Sequence, residues 1–128
     1  MLRLILLSVQ LTAALTITAT SQSDLEEYAA VDSTTMTVSS DITITSQITI
    51  SGDDIVIEGS TGTESLQRTD DGGRILNVTG SLTLRRITIK GGYWSGDYNS
   101  GGCLYVTGDL VLDRAYLTDC TSSSGTYH

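Results

Sequence analysis

Proline is absent from all 128 residues, and so is phenylalanine. A chain without proline keeps every backbone N–H available to a ladder, which suits strands paired along both edges. Without phenylalanine, and with a single tryptophan, the interior has to be filled by Ile, Leu and Val, as in a narrow space between sheets. Basic residues are also scarce: seven Lys and Arg against fifteen Asp and Glu give a net charge of −8. Nucleic acid and anionic membrane surfaces reward clustered cations, so the balance argues against both as partners. The one histidine is the last residue, His128, where it cannot activate a serine for nucleophilic chemistry. The carboxylates are scattered apart from Asp53-Asp54 and Asp70-Asp71. That pattern reads as solubility rather than calcium binding, which needs several oxygens converging, and no cofactor or metal is expected.

Long apolar runs are confined to the start. Met1-Leu2-Arg3 followed by LILLSVQLTAALTI has the form of a secretory signal peptide, assigned to residues 1–21, with Ala19-x-Ser21 placing the cut between Ala19 and Gln22. No later stretch is apolar enough to cross a bilayer, so the mature chain is expected outside the cell or at its surface, without a transmembrane segment. The only two cysteines, Cys103 and Cys120, are free to pair in an oxidising compartment, and the sequence leaves open whether their Cα atoms come close enough.

What fills the chain instead is a set of short triplets with apolar residues at alternate positions, the period of strands with one buried face. ITI at 42–44, ITI at 48–50 and IVI at 55–57 form one set; LNV at 76–78, LTL at 82–84 and ITI at 87–89 a second; LYV at 104–106, LVL at 110–112 and AYL at 115–117 a third. The sets recur at offsets of 34 and 28 residues, a period that implies a solenoid. The fold expected is all-β: a right-handed parallel β-helix of about three coils over residues 41–128, with columns Ile42/Leu76/Leu104, Ile44/Val78/Val106 and Ile48/Leu82/Leu110 stacked inside. A β-sandwich also has short alternating strands, but its strands need not recur as matched sets of three.

Residues 22–40 read as an N-terminal cap. Within them LEEYAA at 25–30 suits a short helix entered through Ser23, with Glu26 completing a capping box, and TMTV at 35–38 is a leading strand. Residues 122–128 contain no cap-like segment. The expectation is an N-terminal part of a longer β-helix, or a last coil that self-associates through its open edge.

LNVTGSLTLRRITIKGG at 76–92 and GGCLYVTGDLVLDRAYLTDC at 101–120 resemble the right-handed parallel β-helix proteins of the pectate-lyase-like superfamily, and within it the repeats of polymorphic outer-membrane proteins. The resemblance covers residues 35–120 and implies a fold shared by lyases, hydrolases, adhesins and inert stalks. Lyases of that superfamily use acidic residues to hold calcium and an Arg or Lys as base; its hydrolases use clustered aspartates. Here Asp53-Asp54, Arg85-Arg86 and Asp113-Arg114 are expected at equivalent places in successive coils. Acid, base and acid in that order read as an exposed ion-pair ladder rather than a catalytic group, and no complete catalytic constellation is present. Ice binding would need a uniform face of Thr-x-Thr pairs; the outward residues expected, among them Thr43/Asn77/Tyr105, do not supply one.

Asn77-Val78-Thr79 is a glycosylation sequon on an outward position. The last motif is KGGYWSGDYNSGGC at 90–103, between two strand sets. Residues 58–74 and 90–102 should leave the same edge of the solenoid as neighbours. Tyr93, Trp94 and Tyr98 could then stack on sugar faces while Asp97 and Asn99 bond hydroxyls, with Asp70 and Asp71 lining the adjacent loop. The competing reading is that the rings fold down and cover apolar flank. The function expected is a secreted surface or matrix module that binds glycans or surface proteins; the alternatives are the N-terminal part of a polysaccharide lyase or hydrolase, and a purely structural stalk.

Overall fold

The computed structural model of the chain describes residues 14–69, 73–94 and 102–122. It begins with β1 (Leu15–Ala19), α1 (Gln22–Tyr28), β2 (Thr34–Val38), β3 (Ile42–Thr43), β4 (Ile48–Ile50), β5 (Ile55–Gly59) and β6 (Ser65–Gln67). It continues through β7 (Leu76–Val78), β8 (Ser81–Arg85), β9 (Thr88–Lys90), β10 (Tyr93–Trp94), β11 (Leu104–Val106), β12 (Asp109–Asp113), β13 (Tyr116–Thr118) and β14 (Thr121–Ser122). Every pairing among the described strands is parallel, so the antiparallel sandwich falls away as an alternative.

The strands fall into a five-stranded sheet β1-β2-β5-β8-β12, a four-stranded sheet β3-β6-β9-β13, a three-stranded sheet β4-β7-β11 and the small pair β10-β14. From β2 onward the chain visits the first three in a fixed order and lays each strand beside its counterpart from the previous circuit. Inward residues therefore stack in columns. Ile17, Met36, Ile57, Leu84 and Leu112 share one; Ile48, Leu76 and Leu104 share another, recurring every 28 residues. The core is aliphatic throughout, with Ile44, Ile50, Ile55, Leu66, Val78 and Ile89 all at most 1% exposed. The apolar area so removed from water is the main favourable term in such a fold.

The register differs from the expected one in its first set. Ile42 pairs with Leu66 rather than with Leu76, and 48–50 lies beside 76–78 rather than beside 82–84. The columns Ile42/Leu76/Leu104, Ile44/Val78/Val106 and Ile48/Leu82/Leu110 do not form; Ile48/Leu76/Leu104, Ile50/Val78/Val106 and Ile55/Leu82/Leu110 do. The whole first set is slipped by one strand, and the offset of 34 disappears with it. The cause is β6, a Ser-Leu-Gln strand with one apolar side chain and no alternation to announce it. Its start is fixed by an acid instead: the Ser65 N–H donates to an Asp41 carboxylate oxygen at 3.0 Å.

Tight turns join the three-stranded sheet to the five-stranded one, and there the circuits touch backbone to backbone. A Cβ on Gly80 would run into the carbonyl oxygen of Gly52, and one on Gly108 into that of Gly80, so the stack needs glycine at both. In this turn the N–H groups of Thr79 and Gly80 donate to Ile50 O at 2.9 and 3.1 Å, and those of Thr107 and Gly108 to Val78 O at 2.9 and 3.1 Å.

The helix ends that ladder. Ser51 and Gly52 donate in the same manner to Ala29 O, at 3.1 and 3.0 Å, so the C-terminus of α1 stands where a preceding turn would be. Leu25 and Ala29 pack into the core from that side. The Gln22 amide fastens the helix across to the β3–β4 turn, accepting from Thr45 N at 2.7 Å and donating to Ser46 Oγ at 2.8 Å. The helix starts earlier than the expected 25–30: its N-cap is Ser21, whose Oγ accepts from Asp24 N at 3.2 Å. Asp24 in turn accepts from the N–H and hydroxyl of Thr20, and those bonds lower its pKa. The Ser23–Glu26 box is not the one used.

Strand β1 lies inside the segment read as a leader. Leu15, Ile17 and Ala19 alternate with threonines, and all five residues pair with β2.

Candidate functional site

The connection from the four-stranded sheet to the three-stranded one lengthens with each circuit: residues 44–47, then 68–75, then 91–103. The expected excursion at 58–74 is shorter than the sequence suggests, because β5 extends to Gly59 and β6 occupies Ser65–Gln67. The two longer connections are neighbours. Tyr93 N donates to Gly73 O at 3.0 Å, Arg68 N to Lys90 O at 2.9 Å and Gly91 N to Thr118 O at 3.1 Å. Tyr93-Trp94 forms β10, paired with β14, so this edge carries its own short sheet.

Two arginines, both 7% exposed, organise the edge. Arg68 donates from Nη1 to Arg74 O at 2.8 Å and from Nη2 to Thr45 O at 3.0 Å, tying the second connection to the first through carbonyls. A guanidinium suits this role because its donors form a rigid planar fork. Arg74 lies over Trp94, with Cζ 3.6 Å from the ring centroid, and over Tyr105 at 4.6 Å. Burial lowers its pKa and the Tyr105 side chain opposes that shift; the cation remains charged at neutral pH. Tyr105 is 40% exposed and Trp94 half-buried, with its indole N–H covered and without a partner among the described residues.

Of the residues expected to form a ligand site, Tyr93 and Trp94 are placed on this edge. Asp70, Asp71, Asp97, Tyr98 and Asn99 lie outside the described residues. Arg68, Arg74 and Tyr105 were not among the expected members. The only signal for Tyr105 in the sequence is its outward place in an LYV triplet. For the arginines there is none, because their partners come from segments up to 31 residues away. Asn77 is the middle residue of β7, between Thr49 and Tyr105 by register. It is half-buried, and its side-chain carbonyl oxygen is covered and has no partner among the described residues.

Cys103 and Cys120 form a disulfide with Cα atoms 5.2 Å apart. The bridge closes the last described circuit on the same edge, and the Cys103 carbonyl accepts from both Ile75 N and Leu76 N, at 2.9 and 3.0 Å.

The ion-pair ladder exists with one rung different. Glu58, Arg85 and Asp113 share the outward column, and Asp53-Asp54 sit before β5, at the opposite end of that strand. Arg85 bonds Glu58 at 3.3 Å and Asp113 at 3.1 Å, while Arg114 bonds Asp113 at 3.0 Å. The hydrogen bond from Arg114 is the main cause of the lowered Asp113 pKa. Each charge is thus engaged by its neighbour.

Glu64 is the buried carboxylate among the described residues, at 4% exposure. It accepts from Ser60 Oγ at 2.9 Å, Thr61 Oγ1 at 2.7 Å, Thr61 N at 3.1 Å and Gly62 N at 3.0 Å. Burial pushes its pKa up, and the bonds from Thr61 and Ser60 outweigh that and bring it down to about 2. It is a lock for the β5–β6 turn. Among the described residues no three His, Cys, Asp or Glu side chains gather, no pocket is enclosed, and no helix is long and apolar enough to cross a membrane.

No family model matches the chain, and no curated protein or solved structure matches it either.

Proposed function

We propose that the chain is a right-handed parallel β-helix module of a secreted or surface protein, related to the pectate-lyase-like superfamily, and that it binds glycans along the edge carrying residues 68–75 and 91–103. The observation behind this reading is the Trp94–Arg74–Tyr105 stack. A ring backed by a guanidinium is held at a fixed angle at low entropic cost, and its free face or edge can meet the C–H surface of a sugar. The parallel registers and the 28-residue recurrence support the solenoid, and the disulfide suits an oxidising compartment.

A stalk that binds nothing is the second reading. It draws on the same stack, since Arg74 lies against both rings and covers surface that a sugar would otherwise use. A glycan array separates the two, run on the protein and on a Trp94→Ala/Tyr105→Ala variant whose fold is checked by circular dichroism. Binding that is lost in the folded variant supports a carbohydrate edge; absence of binding by the unaltered protein supports the stalk.

A further inference from the structure

The exposed apolar side chains are not spread evenly over the surface. Of the six large ones among the described residues, Tyr105, Val111, Leu112 and Tyr116 all lie in the last described circuit. There β12 has β8 on one side and no strand on the other among the described residues, so the backbone groups of its outer edge are available to another chain. The opposite end of the stack is blocked. α1 stands across it, with Leu25 and Ala29 in the core and Ala29 O taking the N–H groups of Ser51 and Gly52, so a second chain cannot continue all three sheets from that side.

Strand β12 reads Asp109-Leu110-Val111-Leu112-Asp113, the same in both directions. Its inward residues are Leu110 and Leu112, beside Leu82 and Leu84, and its outward ones are Asp109, Val111 and Asp113. Reversing the strand about Val111 exchanges the two leucines and the two acids and keeps every side chain on its own face. The edge is therefore complementary to itself in antiparallel pairing. Val111 then lies opposite Val111 of a second copy, and each Leu110 opposite a Leu112. The same register sets Asp109 opposite Asp113, which would be repulsive if both charges stood alone. They do not. Arg114 bonds the Asp113 carboxylate at 3.0 and 3.4 Å with its side chain 65% exposed, whereas Asp109 is exposed and makes no ion pair among the described residues. A guanidinium held on Asp113 stands where Asp109 of the second copy arrives, so pairing gives each Arg114 a second carboxylate.

We propose that the chain forms a two-fold symmetric dimer by antiparallel pairing of β12 with β12 of a second copy, centred on Val111. The pairing joins two five-stranded sheets into one and places an Arg114–Asp109 contact between the chains at each end of the strand. The dimer is independent of glycan binding at the other edge. One strand edge and the end of one circuit make a small contact, so the dimer forms on concentration, and a dilute chain keeps its last circuit open.

Sedimentation equilibrium of the whole chain between about 1 μM and 1 mM should show a monomer passing to a dimer and no larger species. Val111→Glu sets two more carboxylates opposite each other among the aspartates. It should abolish the dimer over that range while the dilute monomer keeps its circular dichroism and melting temperature, since Val111 points away from the core. Asp109→Arg and Arg114→Asp should each raise the dissociation constant by about tenfold or more when alone; the second is tolerated by the backbone, because Asp accepts the positive φ of 56° at that position. Mixed together, the two variants should form a heterodimer, because opposite charges then meet at both ends of the strand. A chain that stays monomeric to the upper limit overturns the proposal. So does a dimer that survives Val111→Glu, which would place the contact on another face, or growth into open-ended species, which a head-to-tail contact gives. Failure of the mixed variants to associate overturns the antiparallel register.

Discussion

Leu84 and Leu112 are the same residue at the same place in consecutive circuits, paired directly in the five-stranded sheet. Leu84 is 0% exposed and Leu112 is 46% exposed. Among the described residues β8 has a strand on both sides, β5 and β12, whereas β12 has one on the β8 side alone. At the other end of the column Met36 is 0% exposed, because β1 and α1 cover it. The fold therefore treats its two described ends by different means. At one, a helix supplies a core side chain, Leu25, and a carbonyl, Ala29 O, in place of the missing turn. At the other, the last described circuit is joined by its parallel ladders and by Cys103 and Leu104 in the core, and a disulfide closes it, while Leu112 and its neighbours stay exposed.

The largest expected effect tests that contrast directly. Leu84→Ala should lower stability by about 3 kcal/mol, the usual cost of a buried leucine truncation with its cavity. Leu112→Ala should cost less than about 1 kcal/mol, since much of its surface is already in water. Urea denaturation of both variants checks this. Equal losses would mean that the end beyond β12 is covered in solution, for instance by a second copy of the chain.

Removal of the Cys103–Cys120 bridge should come next. Its ends are 17 residues apart, and a loop of that size gives about 3 kcal/mol in the chain-entropy account. The full amount requires the last circuit to unfold together with the rest. If the open end frays independently, Cys103→Ser/Cys120→Ser will leave the global transition nearly unchanged and instead speed amide exchange in β11, β12 and β13. Hydrogen exchange alongside thermal melting distinguishes the two.

Glu64 belongs to neither end and reports on the middle. Its pKa of about 2 lies below the ordinary 4.5, so the stabilisation it gives is complete above pH 4.5 and is lost as the pH falls from there toward 2. Glu64→Gln should cost about 2 kcal/mol at neutral pH, through the loss of charge-assisted bonds to the β5–β6 turn. The variant should also have a flatter stability profile between those pH values than the unaltered protein. An acid titration of urea midpoints measures both, and a parallel dependence in the two proteins would assign the acid sensitivity elsewhere.

The same contrast marks what could be read from the sequence. Triplets such as LNV, LTL and LVL announce their strands, and Leu76/Leu104 and Leu82/Leu110 pair as expected, because alternation of aliphatic and polar residues is a local property. Ser65-Leu66-Gln67 has no such signature. Its strand is imposed by β3 on one side and β9 on the other, and missing it slips the first set by one. β1 does alternate, but within a segment whose apolar composition also fits a leader. The edge with Arg74 was the least legible part. Tyr93 and Trp94 stand out in a glycine-rich stretch, whereas a buried arginine is defined by carbonyls and rings that only the assembled circuits bring to it.

The smallest effect expected is in the outward column beside the core. Arg85 sits between Glu58 and Asp113, but its side chain is 37% exposed and that of Asp113 40%, so water and salt screen the pairs strongly. Arg85→Met, which keeps most of the packing stem, should cost about 0.5 kcal/mol at low salt and less at high salt. The two pairs are not equivalent. Glu58 is the more buried acid, at 20% side-chain exposure, and also accepts from Thr37 at 3.4 Å, whereas Asp113 keeps a second cation in Arg114. Loss of Arg85 should therefore be felt on the Glu58 side: Glu58→Gln should partly rescue Arg85→Met, and Asp113→Asn should not. A double-mutant cycle at two salt concentrations reads this out. Rescue by Asp113→Asn instead would show that the open end, despite its exposure, carries the electrostatic strain of the ladder.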